Sequence, residues 1–377
     1  MGVVYAQLLI VAEIFLPTTN GAIKALQDGY HVFPGDNIQD ALDLAGKSTN
    51  KIVKVHAGEY RPDSKRQALL WFNKQHDGIR LEADGAVTLT AANPELSKPT
   101  DPGFPAVVNH VVYFGDGISS NTFIKGFRIT GANSFLTREG TQKMEPDRTI
   151  RKNWFFYADG GAIKIFGRSY PAIQNVEVVD NFTSPCGAGI SIQHQGHNQN
   201  AVSIENCLFF RNRTQVTGAA IDLLAGSAAR IINCLFVGNV SNTGEDVVAK
   251  SSGERPFVNS GVLTIFQNSR AEVRNCTFTG NRNGVDDMGG ASVYSNCIFS
   301  NNQLDGGLKQ LPRYELAVNG GIRDVSGCFI NGTIHDIGHV VSPEKNTLNS
   351  PDPKFDKNFV PQSPEYAAAG YRQPSSP

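Results

Sequence analysis

The chain has 377 residues and a formal net charge of −1, with 40% hydrophobic residues, 18% charged residues and 38 glycines. This composition excludes an intrinsically disordered chain, which would be less apolar and more highly charged. The near-zero charge argues against binding to nucleic acid or to an anionic membrane, because both need a basic surplus. The sequence has no uncharged apolar stretch long enough to predict a membrane-spanning helix.

Residues 1–29 form an N-terminal segment that is either a signal or anchor sequence or a folded cap. Residues 3–16 are mostly apolar, but Glu13 interrupts them and neither Lys nor Arg precedes them. A signal peptide normally begins with a basic region, so the sequence leaves both alternatives open.

A short helix is predicted directly after this segment. In the stretch 36–39, Asp36 is an N-cap candidate with glutamine three residues later, which is a capping-box pattern. Four apolar residues then fall on one helical face: Ile38, Ala41, Leu42 and Ala45. Gly46 is a suitable residue for the helix stop. Such a helix can cover the open end of a stack of strands.

Strand repeats occupy most of the remaining chain. The box Asn-Cys-x-Phe recurs at residues 206–209, 233–236, 275–278 and 296–299, and a second asparagine follows each first one by six residues. Asn175 and Asn181 continue this spacing upstream without the cysteine. The segments before the boxes alternate apolar and polar residues, which is strand periodicity. Equal positions are therefore expected to stack about 4.8 Å apart along the molecule.

This stacking predicts two internal columns. Five of the six cysteines share one repeat position, which favours a column of buried free thiols, with disulfides or metal binding as the alternatives. No Cys-x-x-Cys spacing supports zinc. The second asparagines are expected to form a ladder at a bend, with their amides hydrogen-bonded up and down the stack.

With this repeat the chain resembles the right-handed parallel β-helix of the pectin-lyase-like superfamily, over roughly residues 30–345. The resemblance implies an all-β, single-domain solenoid over residues 30–345, with an N-terminal capping helix and an irregular C-terminal cap over residues 346–377. Phe355, Phe359 and Tyr366 are expected to pack over the last coil. This tail is similar to those of secreted bacterial β-helices, which implies a secreted, periplasmic or cell-surface protein.

Two segments interrupt the repeat, and the first is residues 132–160, which are rich in basic and aromatic residues. Basic side chains pair with sugar carboxylates or sulfates. Aromatic faces can stack on sugar rings, although they also pack loops onto a protein body. We therefore predict Arg151, Trp154 and Tyr157 as substrate-binding residues, with loop packing as the alternative.

The second interruption is residues 241–255. Its Glu245 and Asp246 can supply oxygen ligands to a calcium ion, and a solvated charged loop is the alternative. Lys250, with Arg270 about one coil later, resembles the base and metal-ligand arrangement of alginate and chondroitin lyases. That resemblance implies proton abstraction next to a uronate carboxylate that a cation neutralises.

A row of outward-facing strand positions supplies the other candidates. Aligning the strands places four residues at one position, Lys164, Ser191, Asp222 and Thr264, and Asp286 joins them if one gap is allowed in the short last repeat. Asp222 and Asp286 would then lie two coils apart, on the order of 10 Å. Inverting glycosidases need a carboxyl separation of about 6.5–9.5 Å. His194 and His197 lie just past the same strand, and either can act as an acid or base or be ordinary polar surface.

These features predict a carbohydrate-active enzyme that binds an extracellular, acidic polysaccharide or oligosaccharide and cleaves it by β-elimination as a polysaccharide lyase. The predicted catalytic residues are Lys250, Arg270, His194, Asp222, Asp286 and Lys164. The predicted substrate-binding residues are Arg151, Trp154, Tyr157 and His197, and Ca²⁺ is the predicted cofactor at Glu245 and Asp246. A glycoside hydrolase with paired aspartates and a non-catalytic glycan-binding or structural rod are the alternatives.

Overall fold

The computed structural model describes residues 14–18, 21–101, 103–134, 159–183, 185–243, 261–304, 313–318, 321 and 324–374. These residues form one α-helix, α1 (Ile38–Lys47), and 31 strands numbered β1 to β31 in chain order. The first nine strands are β1 (Ile14–Thr18), β2 (Gly21–Leu26), β3 (Gly29–Val32), β4 (Ile52–Tyr60), β5 (Arg66–Phe72), β6 (Arg80–Thr90), β7 (Val108–Phe114), β8 (Phe123–Thr130) and β9 (Asn133–Ser134).

The following strands are shorter and belong to the regular repeats. They are β10 (Ile163–Phe166), β11 (Ala172–Gln174), β12 (Glu177–Val179), β13 (Phe182–Thr183), β14 (Ile190–Gln193), β15 (Val202–Glu205), β16 (Leu208–Phe210), β17 (Arg213–Thr214), β18 (Ile221–Leu223), β19 (Ala228–Ile232), β20 (Leu235–Val237), β21 (Leu263–Ile265), β22 (Arg270–Arg274), β23 (Thr277–Thr279), β24 (Val285–Asp287), β25 (Val293–Ser295), β26 (Ile298–Ser300), β27 (Leu316–Val318), β28 (Asp324–Ser326), β29 (Phe329–Asn331), β30 (Ile334–Asp336) and β31 (Thr347–Leu348).

Parallel strand pairing stacks these repeats into coils, as the sequence predicts. Strands β1, β2 and β3 pair antiparallel, and β3 then pairs in parallel with β4 of the first coil. A typical coil passes through β14 in a nine-stranded sheet, β15 and β16 in a 19-stranded sheet, and β17 in a three-stranded sheet. Equal positions in successive coils pair with each other, so their side chains form rows along the molecule.

Helix α1 packs its predicted apolar face against the first strands. The buried residues are Ile38, Ala41, Leu42 and Ala45. The N-cap is Asn37, whose side chain accepts an N–H of the first turn, whereas Asp36 accepts the N–H of Phe33 at 2.8 Å. The predicted stop at Gly46 is wrong, because the helix continues to Lys47 and its C-cap is Ser48.

The second asparagine of each repeat forms the predicted ladder. Each side-chain N–H donates to the Oδ1 of the next asparagine at 2.8–3.0 Å, along Asn181, Asn212, Asn239, Asn281 and Asn302. Glu315 occupies the next place, where its carboxylate accepts from the backbone N–H of Asn302 at 3.0 Å and from the amide of the same residue. The first asparagines have a positive φ, for example 52° at Asn175, which asparagine tolerates better than most residues.

Five of the six cysteines form the predicted column of thiols, and Cys186 lies outside it. All six are free and buried. The Cys207 thiol donates to the carbonyl of Ile173 in the preceding coil at 3.5 Å, and Cys276 repeats this contact with Ile231 at 3.5 Å. Phenylalanine rings also stack, with centroids 4.3–5.1 Å apart, along Phe209, Phe236, Phe278 and Phe299. These rows fill the interior of the coils.

The C-terminal segment after β31 lies along the side of the coils. Tyr366 is buried against Ile298 and Phe329, with the Tyr366 and Phe329 ring centroids 4.4 Å apart. The ring centroid of Phe359 lies 6.2 Å from that of Phe210, which belongs to a coil several coils nearer the N-terminus. The sequence predicted that these aromatic residues cover the last coil. The structure instead places them on an apolar strip that runs along several coils.

Candidate functional site

The outward side of the nine-stranded sheet carries the polar row that the sequence predicted. Strand pairing puts five side chains in register, one per coil: Lys164, Ser191, Asp222, Thr264 and Asp286. Their strand neighbours, such as Ile221 and Leu223, belong to the hydrophobic core. Because neighbouring residues of a strand point to opposite faces, these five side chains point away from the core. We call them the outer row.

Every member of the outer row is buried, with 0% exposure, which corrects the expectation of an open outward surface. The chain turns at a glycine just before each of these strands, and this turn covers the side chain of the outer row. A Cβ added at Gly218 would lie 2.5 Å from the Cβ of Asp222, and one at Gly187 would lie 2.8 Å from that of Ser191. Both glycines have a positive φ, 60° and 62°, so larger residues would be strained as well as crowded.

The residue before each of these glycine turns forms a second buried row, which sequence reasoning missed. Its members are Asp159, Cys186 and Thr217. Each stands five positions before a member of the outer row and next to a glycine. That recurring spacing was visible in the sequence. It carried no chemical pattern, however, because an acid, a thiol and a hydroxyl alternate there.

Lys164 is held between the two rows. Its Nζ donates to both oxygens of Asp159 at 2.7 Å and to Oε1 of Gln193 at 3.0 Å. The hydroxyl of Ser191 donates to the same Asp159 carboxylate at 2.7 Å. Both ions are 0% exposed, so each offsets the charge of the other in a site that water does not reach.

Asp222 and Asp286 have no ion-pair partner of this kind among the described residues. One oxygen of Asp222 and both oxygens of Asp286 have no hydrogen-bond partner among the described residues, while Thr217 donates to the other Asp222 oxygen at 3.2 Å. Burial, together with the nearby Asp159 charge, raises the pKa of Asp222 to about 7. Burial and the charges of Asp287 and Asp222 raise the pKa of Asp286 well above its ordinary value.

Asp287 is separate from this pair. It pairs in register with Ile265 and Val318, and its carboxylate accepts from the hydroxyl of the core residue Tyr294 at 2.9 Å. It therefore points inward, as expected for the strand neighbour of Asp286. The double aspartate of this strand contributes one carboxyl to each face.

Comparison with known proteins supports the stacking described above. A family model described as "Right handed beta helix region" matches residues 73–260. The chain therefore has the predicted fold, a right-handed parallel β-helix.

Two solved structures are similar to the β-helix at low identity. A pectin methylesterase from carrot has 12% identity and a TM-score of 0.37, over 85% of this chain and 88% of that chain. PfbA, a surface adhesin of Streptococcus pneumoniae, has 15% identity and a TM-score of 0.31, over 88% of this chain and 72% of that chain. Such likeness concerns the fold alone. A comparison with curated proteins gave no match.

The predicted histidines and Arg270 of the β-helix lie outside the outer row, at the turn after the nine-stranded sheet. His194 is 0% exposed, and its Nε2 lies 2.9 Å from the carbonyl oxygen of Ser169. Burial lowers the pKa of His194 to about 4, so the ring is neutral at pH 7. Arg270 donates to the carbonyl of Asn198 at 3.0 Å. His197 is exposed, and its own carbonyl accepts the hydroxyl of Tyr170.

The remaining predicted site residues lie outside the described residues of the β-helix. They are Arg151, Trp154, Tyr157, Glu245, Asp246 and Lys250. Their roles, and the calcium site at Glu245 and Asp246, stay predictions. In the described ranges, no group of three or more His, Cys, Asp or Glu side chains is arranged to hold a metal ion. The same ranges contain no helix long and apolar enough to span a membrane.

A surface cavity of about 160 Å³ lies at the N-terminal end of the β-helix, away from the outer row. Its wall includes Ile38 at the start of α1, together with Tyr60, Leu69 and Leu70. The charged groups on its rim are already paired, for example Arg61 with Glu59 at 2.8 Å and Arg66 with Asp63 at 3.3 Å. None of the residues predicted to be functional lines this cavity.

Proposed function

We propose that this β-helix is a carbohydrate-active enzyme that hydrolyses glycosidic bonds of an extracellular polysaccharide, with Asp222 and Asp286 as its acid–base pair. One observation carries the proposal. Two buried carboxyls face outward from the same sheet, two coils apart, and three of their four oxygens have no partner among the described residues. Groups that serve only packing are normally satisfied when buried.

The cost of this arrangement supports a functional role. A buried polar group without a hydrogen bond costs about 1–3 kcal/mol, and the outer row shows how such a cost is avoided. Asp159, also buried, accepts from Lys164 and Ser191. Among the described residues, Asp222 accepts from Thr217 at 3.2 Å and Asp286 has no donor. Perturbed carboxyls of this kind are common where proton transfer is the purpose.

We assign the two roles from the surroundings of each carboxyl. Burial and the charges of Asp287 and Asp222 raise the pKa of Asp286 well above its ordinary value, which favours its protonated form, and we propose it as the general acid toward the leaving-group oxygen. Asp222, with a pKa of about 7, can accept a proton from water and is the general base. Their spacing of two rungs, on the order of 10 Å along the stack, leaves room for the water that an inverting mechanism needs.

We place hydrolysis ahead of β-elimination because Lys164 is engaged by the Asp159 carboxylate and Arg270 by backbone carbonyls. Neither cation is available as a free base. Lys250 could still serve a lyase, with calcium at Glu245 and Asp246. Absorbance of the unsaturated product, followed with and without added calcium, reports that reaction directly.

The test of the proposal is an assay of reducing ends released from a panel of neutral and acidic polysaccharides. Asp222→Asn and Asp286→Asn are each expected to lower kcat by about 100-fold or more, because each removes one proton-transfer group. Asp287→Asn is the matched control, since it changes an equally buried carboxyl on the inward face of the same strand. Activity that survives both outer-row substitutions would reject the assignment.

Substrate access is measured separately, because both carboxyls are buried in the absence of sugar. Carbodiimide coupling followed by peptide mass spectrometry reports which carboxyls meet solvent. We expect Asp222 and Asp286 to be modified slowly alone, and at a changed rate when an oligosaccharide substrate is present. If no sugar changes their modification, the pair does not meet substrate.

The burial of the outer row favours a second candidate, a non-catalytic glycan-binding rod. In that case the polar groups stiffen the coils, and the sugar contacts the exposed surface. Binding of the same polysaccharides without release of any product, unchanged in Asp222→Asn, would support the rod. For either candidate we propose a site of action outside the cell or at its surface, which fractionation of the producing cells tests.

A further inference from the structure

A second titratable cluster lies near the N-terminal end, in the 19-stranded sheet rather than beside the outer row. Nδ1 of His31 on β3 and Nε2 of His56 on β4 are 2.8 Å apart. Each histidine turns its other nitrogen to a carboxylate. His31 Nε2 lies 3.0 Å from Asp28, and His56 Nδ1 lies 3.0 Å from Asp84 on β6. The four side chains form a continuous chain of three hydrogen bonds.

Counting hydrogens fixes the protonation of this chain. A carboxylate only accepts hydrogen bonds, so the nitrogens that face Asp28 and Asp84 must each carry a hydrogen. The contact between the two rings needs one more hydrogen, on either Nδ1 of His31 or Nε2 of His56. Three hydrogens on four ring nitrogens make one imidazolium and one imidazole. The pair therefore carries one positive charge when all three hydrogen bonds are made.

We propose that His31 and His56 share one extra proton, and that this proton fastens the N-terminal hairpin β2–β3 to the first coils of the β-helix. The three hydrogen bonds connect the β2–β3 turn, β3, β4 and β6. Binding or release of a single proton thus changes how firmly the first strands of the sheet are held.

The surrounding charges suit a shared proton. Besides the two aspartates, Lys54 faces the cluster, with its Nζ 2.6 Å from Asp28, and Glu82 on β6 lies in register with Lys54. The hydrogen bonds from Lys54 and His31 lower the pKa of Asp28 to about 2, so this acceptor stays ionised.

An aromatic ring also faces the histidine pair. The ring of Phe33 stacks on His56 at 4.2 Å and 9°, which suits a cation over an aromatic face. Lys24 approaches the same ring of Phe33, with its Nζ 5.2 Å from the centroid.

The ring geometry favours a proton over a metal ion. The two imidazole centroids are 5.1 Å apart and the planes are inclined by only 25°, while the facing nitrogens are 2.8 Å apart. The rings are therefore nearly coplanar and meet end to end. Their facing nitrogens point at each other, as in a linear hydrogen bond, whereas the ligands of one metal ion converge on a common point.

The pH effect follows from the number of hydrogens. While the pair holds three hydrogens, all three contacts are satisfied. As the pH rises and one hydrogen leaves, either the two nitrogens face each other without a hydrogen or one carboxylate loses its donor. A fourth hydrogen, taken up at lower pH, would set two N–H groups against each other and break the contact between the rings. The contribution of the cluster to stability is therefore present while the pair holds three hydrogens, and it is lost as the pH rises above that range.

Nitrogen-15 long-range correlation spectra of the full chain test the hydrogen count without any mutation. At pH 6 we expect the four ring nitrogens of His31 and His56 to show three attached hydrogens, with one averaged between the facing nitrogens. At pH 9 we expect two. Two hydrogens at pH 6, or the same number at both pH values, would overturn the proposal.

A double-mutant cycle of thermal unfolding tests the fastening role. His31→Phe, His56→Phe and the double variant keep a ring at each position, so stacking on Phe33 is retained. We expect the coupling between the two substitutions, measured in Tm, to be at least twofold larger at pH 6 than at pH 9. The control is His197→Phe, at an exposed histidine outside the cluster. Combined with His31→Phe, it should show no coupling in Tm at either pH. Equal coupling at both pH values would overturn the fastening role, as would a Tm increase with zinc that disappears in His56→Phe.

Discussion

The buried carboxyl of Asp222 makes stability depend on pH in the direction opposite to that of an ordinary ion-paired aspartate. Its pKa is 3.8 in the unfolded chain and about 7 in the folded protein, so the folded state binds the proton more tightly. The contribution of Asp222 is therefore most favourable below pH 3.8. It is lost as the pH rises to 7, by about 4 kcal/mol at 1.36 kcal/mol per pKa unit.

Asp222→Asn should accordingly stabilise the protein at neutral pH. An amide stays neutral at every pH, so we expect the gain in free energy of unfolding to be near zero at pH 4. It should reach about 4 kcal/mol above pH 7. Denaturant unfolding at a series of pH values measures this, with Asp180→Asn, an exposed aspartate paired with Arg211, as the control. A gain that does not vary with pH would contradict the raised pKa.

At the scale of single residues, the sequence predicted the register of side chains in the repeat better than their burial and their hydrogen-bond partners. The register of Lys164, Asp222 and Asp286 followed from strand alternation, and the structure has that register. Their burial could not be predicted, because it depends on turns that fold back onto the row. The partner of Lys164 was missed for the same reason. Asp159 is only five residues away, but nothing local shows that a glycine turn will bring the two together.

At the scale of the repeated element, the two asparagines of each coil have different structural roles. The first turns the chain at a positive φ, which a few other residues can also do at some cost. The second satisfies backbone and side-chain groups in two neighbouring coils. Asn239, for example, accepts from Asn212 and donates to Asn281 and to the carbonyl of Phe209.

We expect Asn239→Ala to cost about 3 kcal/mol of folding free energy, because it leaves several buried groups without partners. Asn175→Ala should cost about 1–2 kcal/mol through its left-handed backbone, and Asn175→Gly should cost clearly less, because glycine adopts this conformation freely. Equilibrium unfolding in urea compares the three variants. If Asn175→Ala proved as costly as Asn239→Ala, the ladder would not be the main contribution of these asparagines.

The repeat allowed this ladder to be predicted because its spacing of six residues recurs whatever the loop length. The end of the ladder could not be predicted. Glu315 belongs to no Asn-Cys box and follows Asn302 by only 13 residues. Burial raises the pKa of Glu315, while hydrogen bonds from Asn302 oppose this rise. A carboxyl replaces an amide at this place because the last asparagine has only donors left to satisfy.

At the scale of the whole molecule, the C-terminal tail covers an apolar strip on the outside of the coils. Side chains on this strip include Leu235 and Ile298, both buried at 1% exposure or less, and Phe329. Arg372 in the tail exchanges two backbone hydrogen bonds with the side chain of Asn233. The tail is thus fixed both by apolar contacts and by hydrogen bonds with Asn233, the first asparagine of its repeat.

Deleting residues 351–377 should expose this strip and cause self-association. We expect increased binding of a hydrophobic dye and a larger species in light scattering, because contiguous exposed apolar surface favours association. Deleting only residues 373–377 keeps Tyr366 and Arg372 in place and serves as the control. A monodisperse protein with unchanged dye binding after the longer deletion would contradict this role of the tail.

The single elongated domain followed directly from the repeat, but the place of the tail did not. The sequence did contain a pattern that indicates where the tail packs. Residues such as Leu235 and Ile298 are apolar on the side of the strand opposite to Phe236 and Phe299, so these strands have two apolar faces. A strand with two apolar faces needs a cover on each, and in the part of the chain that the structure describes the C-terminal segment supplies the second one.

The asparagine ladder gives the molecule a direction. Each ladder amide donates to the next asparagine toward the C-terminal end, and the series stops at an acceptor, Glu315. The asparagine of a coil inserted within the series would accept from the asparagine of the coil before it and donate to that of the coil after it. Duplication of a coil therefore leaves the hydrogen bonds of every other rung unchanged. Only the terminus is unique. The length of such a protein can therefore change in evolution by whole coils, as long as one carboxylate remains to close the line of donors.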